Sequence, residues 1–198
     1  MTPPRQLDAI GYLATSEINS TSYVGGLLIV NSNARPLEFH CTVPFLPSRS
    51  QRVLYGASLS GSLMTEDIPR ALFKKAKHRP DVVFVNSMAM LAVQAELEQP
   101  VACIQVTSEA MGEEKERLGA DCLNGEEVSG NQSQFEKASP LFGNKGSFGF
   151  AMDPKHEGKK ELVNAGLQQI SCHVDIHEPF ERLKLALDET GKVSSHAA

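Results

Sequence analysis

Apolar and polar positions change rhythm several times along the chain, and each change predicts an element. From Leu37 to Val43 they alternate: Leu37, Phe39, Cys41 and Val43 fall on one face, Glu38, His40 and Thr42 on the other. A period of two is that of a strand with one covered face, here predicted to be the Leu37 side. The preceding run, Tyr23–Val30, is apolar apart from Gly25 and Gly26, and a turn-rich bridge, residues 31–36, joins the two. Asn and Pro suit turn geometry, so the economical reading is a β-hairpin. A glycine pair inside a strand marks a bulge or a close backbone approach. Residues 9–14 form a shorter strand-like run.

Asp81–Asn86 is almost continuously apolar, as expected of a central strand covered on both faces. Ser87–Leu97 reads as a helix and Pro100–Val106 as a second buried strand. Strand–helix–strand at this spacing predicts a short parallel crossover.

The helices carry their own signals. Ser48, with Gln51 three residues on, is a capping box and opens a helix reaching Leu63. Val53, Leu54, Ala57, Leu59 and Leu63 are its apolar positions, and Gly56 and Gly61 weaken it. A second helix opens near Thr65, carries Pro69 in its first turn and stops at Arg79-Pro80. Two more are predicted over 157–170 and 179–188, the latter with Phe180, Leu183 and Leu187 on one stripe. Residues 109–118 are a charged surface helix or polar arm, and 119–149 lack apolar periodicity. Phe148–Met152 is one more candidate strand.

The predicted fold is therefore α/β or α+β: a mixed sheet with an N-terminal hairpin region, a short parallel βαβ-like unit and flanking helices. Residues 1–118 would form the main core, 119–147 a flexible polar loop or insert, 148–191 a C-terminal strand and helices packing on the same core, and 192–198 a frayed tail.

Composition narrows the classes. The chain has 198 residues, 41% of them hydrophobic, enough for a core without staples. Its net charge of −5 disfavours adhesion to polyanions, so nucleic acid is disfavoured as a partner. The basic run Lys74, Lys75, Lys77, His78 and Arg79 sits where a helix ends, and there it complements the helix dipole. No apolar run approaches the roughly 20 residues that span a bilayer, and residues 1–5 do not open a secretory signal. The expected compartment is the cytoplasm, without membrane association. Cys41, Cys103, Cys122 and Cys172 form no C-x-x-C pair and read as free thiols.

No constellation identifies an activity. Gly143, Gly146 and Gly149 resemble a dinucleotide fingerprint only in spacing, and no phosphate-loop ending is present, so no cofactor is expected. Cys172, His173, Asp175 and His177 read as a helix-entry segment, and no metal site is expected. His40 and Cys41 point to opposite faces of a strand and cannot pair as base and nucleophile. The best enzyme-like set is His40, Arg49 and Tyr55 as catalytic groups, with Arg52, Asn86 and Ser87 as substrate-binding groups. Arg49 and Arg52 would hold an anion, and Asn86-Ser87 would stand at a strand's carboxyl end, where α/β sheets bind ligands. The leading expectation is a structural or protein-interaction module, binding another protein or its own copy. The alternative is a small-molecule enzyme whose pocket for a small anionic ligand lies between the hairpin's outer face and the following helix start.

Overall fold

The computed structural model describes residues 6–18, 21–106, 141–145 and 148–195. Seven strands form one sheet: β1 (Ile10–Ile18), β2 (Ser22–Val30), β3 (Pro36–Cys41), β4 (Val82–Val85), β5 (Val101–Val106), β6 (Leu141–Lys145) and β7 (Phe148–Met152). Their order is β3-β2-β1-β4-β5-β7-β6. β1, β4 and β5 are parallel; the β1–β2, β2–β3, β5–β7 and β6–β7 pairs are antiparallel. The mixed α/β sheet, the hairpin and the parallel unit are those the sequence predicts.

The sheet is covered on both faces. One cluster gathers Tyr12, Leu28, Phe84 and Phe150 under Val163, Leu167, Ile170, Leu183 and Leu187. These last come from α4 (Lys160–Ser171) and α5 (Glu178–Ser195) in the numbering used here. The other cluster gathers Leu13, Leu27, Ile29, Val83 and Val85 under Leu59, Leu63, Ile68, Leu72 and Leu91. Because β4 and β2 are buried on both sides, their sequences are near-continuous apolar runs.

Gly25 and Gly26 mark close approaches, one on each face. A Cβ on Gly25 would lie 2.2 Å from Ile68 Cγ2, and one on Gly26 would lie 2.7 Å from Leu183 Cδ1. The irregularity in the β2–β3 register falls elsewhere, between Ile29 and Val30. The turn after β2 is held by Asn31, whose Oδ1 accepts the backbone N–H groups of Asn33 and Arg35. Ala34 takes a left-handed φ of 58°, and its carbonyl accepts both Nη groups of Arg182 at 3.1 Å.

Residues 49–75 form one continuous helical path in place of the two helices expected. It comprises α1 (Arg49–Tyr55), a 3-10 turn (Gly56–Ser58), α2 (Leu59–Ser62), a π turn (Leu63–Asp67) and α3 (Ile68–Lys75). Gly56, at φ 53°, breaks the first segment. The segment Met88–Ala95 is 3-10 instead of α-helical. Its last turn carries Gln94, a buried polar side chain with its donors and acceptor used: Oε1 accepts from Val101 N, and Nε2 donates to the carbonyls of Leu97 and Gln99.

Three expectations concern segments placed differently or not described. The charged stretch 109–118 and residues 119–140 of the expected loop lie outside the described residues. Residues 141–145, assigned to that loop, pair with β7, so Gly143 and Gly149 belong to a hairpin and no helix follows them as a dinucleotide fingerprint would need. Helix α5 also continues into the expected tail, through Ser195.

Candidate functional site

The hairpin's two faces are not partitioned as the alternation suggests. Leu37 is 41% exposed, Phe39 38% and Val43 80%, and among these apolar positions Cys41 is the one packed against a core cluster. The Glu38 side chain, on the supposed wet face, is only 12% exposed. The reason is position in the sheet. β3 is an edge strand, and α5 lies over β1 and β2, leaving the β3 side chains of that face beyond the helix. On the other face the segment after α3 closes over Glu38.

Glu38 is held by five donor contacts across that closure. Lys77 N donates to both of its oxygens at 3.0 Å, and His78 N and His78 Nδ1 reach Oε2 at 2.9 Å. His40 Nε2 lies 2.5 Å from Oε1. The His78 and Lys77 amides, followed by the two imidazoles, hold the Glu38 carboxyl far below the usual carboxylate range. Its lone pairs are filled by these donors, so Glu38 acts as a clamp between β3 and the segment entering β4. His40 is thereby committed to Glu38 rather than to a pocket.

The second feature is the carboxyl ends of the parallel strands. Asn86 and Ser87 follow β4 there, and both are exposed. β1 runs five residues past the level of Val85, through Thr15, whose Oγ1 contacts Met90 Sδ at 3.5 Å. Ser87 precedes the 3-10 segment but makes no side-chain cap bond.

The third feature is the arm from Val43 to Ser58. Phe45 pairs with Tyr23 through two backbone bonds of 2.9 and 2.8 Å, which place it at the level of Glu17, near the carboxyl end of β1. Ser48 then caps α1 in the predicted capping box, its Oγ accepting from Gln51 N while Gln51 Oε1 accepts from Ser48 N. No residue of α1 is buried. Val53 is 74% exposed and Leu54 82%, although both are among the apolar positions of the predicted helix. Arg49, Arg52 and Tyr55, three residues apart, run along one side of the helix. Arg52 Nε donates to the Pro47 carbonyl at 3.2 Å, which fixes the guanidinium against the arm's own backbone. Neither arginine has a carboxylate partner among the described residues. The sequence carries a signal for this: no Asp or Glu occurs between Glu38 and Glu66, in a chain with 24 acidic residues.

These features do not converge as expected. His40 pairs with Leu27, Leu27 with Leu13, and Leu13 with Val85, so three strand spacings, roughly 14 Å, separate His40 from the end of β4. The pocket in which His40, Arg49 and Tyr55 would act on a substrate held by Arg52, Asn86 and Ser87 is therefore not assembled. The basic run is divided as well. Lys74 and Lys75 close α3, while Lys77 and His78 serve Glu38 at the entry to β4, the end of the strand opposite Asn86.

No protein-family model matches the sequence, and no curated protein matches it. Solved structures do match in fold. One is an endonuclease V variant from Ciona intestinalis, in complex with a 23mer DNA containing an inosine followed by a ribo-adenosine: TM-score 0.50, 9% identity, covering 94% of this chain and 87% of that one. Human endonuclease V matches with a TM-score of 0.45, 13% identity and coverage of 96% and 86%. Endonuclease V from Ciona intestinalis with a 24mer DNA matches at 0.45, 12% identity and coverage of 92% and 87%.

At such identity the likeness is one of fold, and it rests on the first of these structures. Nucleases commonly work through divalent ions held by carboxylates. Among the described residues no group of three His, Cys, Asp or Glu side chains could hold a metal ion. The ends of β1 and β4 present Thr15, Glu17, Asn86 and Ser87, a single carboxylate beside hydroxyls and an amide, short of the ligand cluster such an ion takes. No helix among the described residues is long and apolar enough to cross a membrane.

The comparison corrects two expectations. The architecture is that of a nuclease solved with DNA, which overturns the reading of a structural or protein-interaction module. It equally overturns the view that nucleic acid is disfavoured as a partner: the net charge of −5 averages over the chain and hides a segment without carboxylates. The chain is an α/β protein with an endonuclease V-like fold.

Proposed function

We propose that this protein binds nucleic acid, and that the arm between Val43 and Ser58 supplies the contacts. The observation that carries the reading is the exposed stripe of Arg49, Arg52 and Tyr55, joined by exposed Phe45, on a segment free of acidic residues. Guanidinium groups pair with phosphate oxygens in a fork geometry, and aromatic faces stack on bases. The arm stands near the carboxyl end of β1, and its Ser48–Gln51 cap and the Arg52–Pro47 bond reduce the ordering cost of binding. The solved complex of similar fold, whose partner is DNA, supports the same class of ligand. Arg49, Arg52 and Tyr55 are thus assigned to binding rather than to a small-molecule pocket. The cytoplasm is the compartment this reading favours, with Cys41, Cys103 and Cys172 as free thiols.

The test is fluorescence anisotropy with a labelled oligonucleotide at low salt. Wild type is expected to bind, and Arg49→Ala/Arg52→Ala to weaken binding at least tenfold. The loss of two phosphate contacts should also flatten the log–log salt dependence by about 1.4. Unchanged affinity and slope in the double variant would refute the assignment.

A further inference from the structure

We infer that the strand recognised by the α1 arm is single-stranded, with unpaired bases laid against the arm's apolar side chains. This rests on the reading of the arm as a nucleic-acid surface and concerns which form of nucleic acid it takes. The chemistry of the arm is lopsided. It offers two guanidinium groups, Arg49 and Arg52, against six large exposed apolar or aromatic side chains: Val43, Phe45, Leu46, Val53, Leu54 and Tyr55, between 38% and 82% exposed.

A duplex presents phosphates and polar groove edges outward and keeps its base faces stacked inside. Two cations would meet few of its phosphates, and the apolar side chains would meet only polar surface and water. A single strand reverses this. Its base faces are free to stack on Tyr55 and Phe45, and its flexible backbone can bring phosphates to Arg49 and Arg52.

The arm is also built to present these groups. Phe45 is fixed to Tyr23 by two backbone bonds while the residue stays 38% exposed, and Pro44 and Pro47 stiffen the segment around it. Gly56 ends α1 directly after Tyr55, and the space around its α-carbon is open: a Cβ there would meet nothing within 4 Å. Among the described residues, none beyond its chain neighbours crowds Gly56 at the end of the stripe. Base faces and phosphates are common to DNA and RNA, so the surface is expected to accept either sugar.

The experiment is a competition titration on the full chain. A labelled single-stranded oligonucleotide is displaced by unlabelled DNA and RNA single strands of the same sequence, and by the DNA duplex. Both single strands should displace it within a few-fold of each other, and the duplex only at about tenfold or higher concentration. Tyr55→Ala should weaken single-strand binding about tenfold, with Tyr55→Phe near wild type, since the ring and not its hydroxyl makes the contact. A duplex that competes as well as the single strands, or a Tyr55→Ala variant that binds normally, overturns the inference while leaving nucleic-acid binding standing. Absence of binding to every strand overturns both.

Discussion

Strand β2 and helix α1 lie fewer than twenty residues apart, and both are rich in apolar residues, yet they stand at opposite extremes. From Tyr23 to Val30 every residue of β2 is buried; in α1 none is. β2 is held between helices on both faces, so closely that Gly25 and Gly26 leave no room for a Cβ. The α1 segment is ordered by its own cap and carries Val53 and Leu54 into solvent. The same kind of side chain thus serves two ends: in β2 it maintains the fold, and in α1 it is surface available to a ligand. Large exposed apolar groups gathered on one element are a mark of an interaction site.

That contrast can be broken from either side. The largest effect is expected from Gly25→Val. The new side chain would drive into Ile68 and Thr15, a clash that costs about 3 kcal/mol by the usual scale of overpacking. Urea denaturation should show it as a lower midpoint with an unchanged slope. Val53→Ser, on the exposed helix, should change stability by no more than about 0.5 kcal/mol in the same measurement.

An intermediate effect is expected from Glu38→Gln. The carboxyl titrates lower in the folded chain than its ordinary value of 4.5. Its contribution to stability is therefore complete above that pH and is lost as the pH falls below it towards the folded-state value. Wild type should lose melting temperature on going from pH 6 to pH 3.5 more steeply than Glu38→Gln, which starts lower. Parallel profiles for the two proteins would remove the clamp from the account.

A smaller change than these two core and clamp variants give, and one of opposite sign, is expected from Tyr12→Phe. The Tyr12 ring is fully buried against Phe84 and Phe180, and its hydroxyl has no hydrogen-bond partner among the described residues. Burial pushes the phenol far above its ordinary range. Removing an unsatisfied buried hydroxyl should be neutral or stabilising by up to about 1 kcal/mol. A thermal melt showing a clear loss would indicate a partner for that oxygen, such as a bound water.

The sheet was legible because its signals are local. The period of two in β3, the continuous apolar run of β4 and the capping box at Ser48 each depend on neighbours in sequence. What the sequence concealed depends on distant partners. Glu38 alternates with apolar residues as an exposed strand residue would, and only the return of the chain at Lys77 and His78 covers it. Val53 and Leu54 have the spacing of a core stripe, and nothing local reveals that no layer lies beneath them. His40 and Asn86 are both polar groups near strand ends, yet they belong to strands three places apart. The arginines after the hairpin were visible as anion-binding residues. The absence of carboxylates between Glu38 and Glu66 was the available sign that they belong to a larger surface.

The central claim, that the arm around α1 is where nucleic acid is bound, is tested most directly by amide hydrogen exchange. Exchange is compared with and without a saturating single-stranded oligonucleotide. Added protection is expected over residues 45–58, with β2 and the α3–β4 connection unchanged. Protection that avoids this arm and falls instead on Lys74–Arg79, or on the strand end at Asn86, would contradict the account.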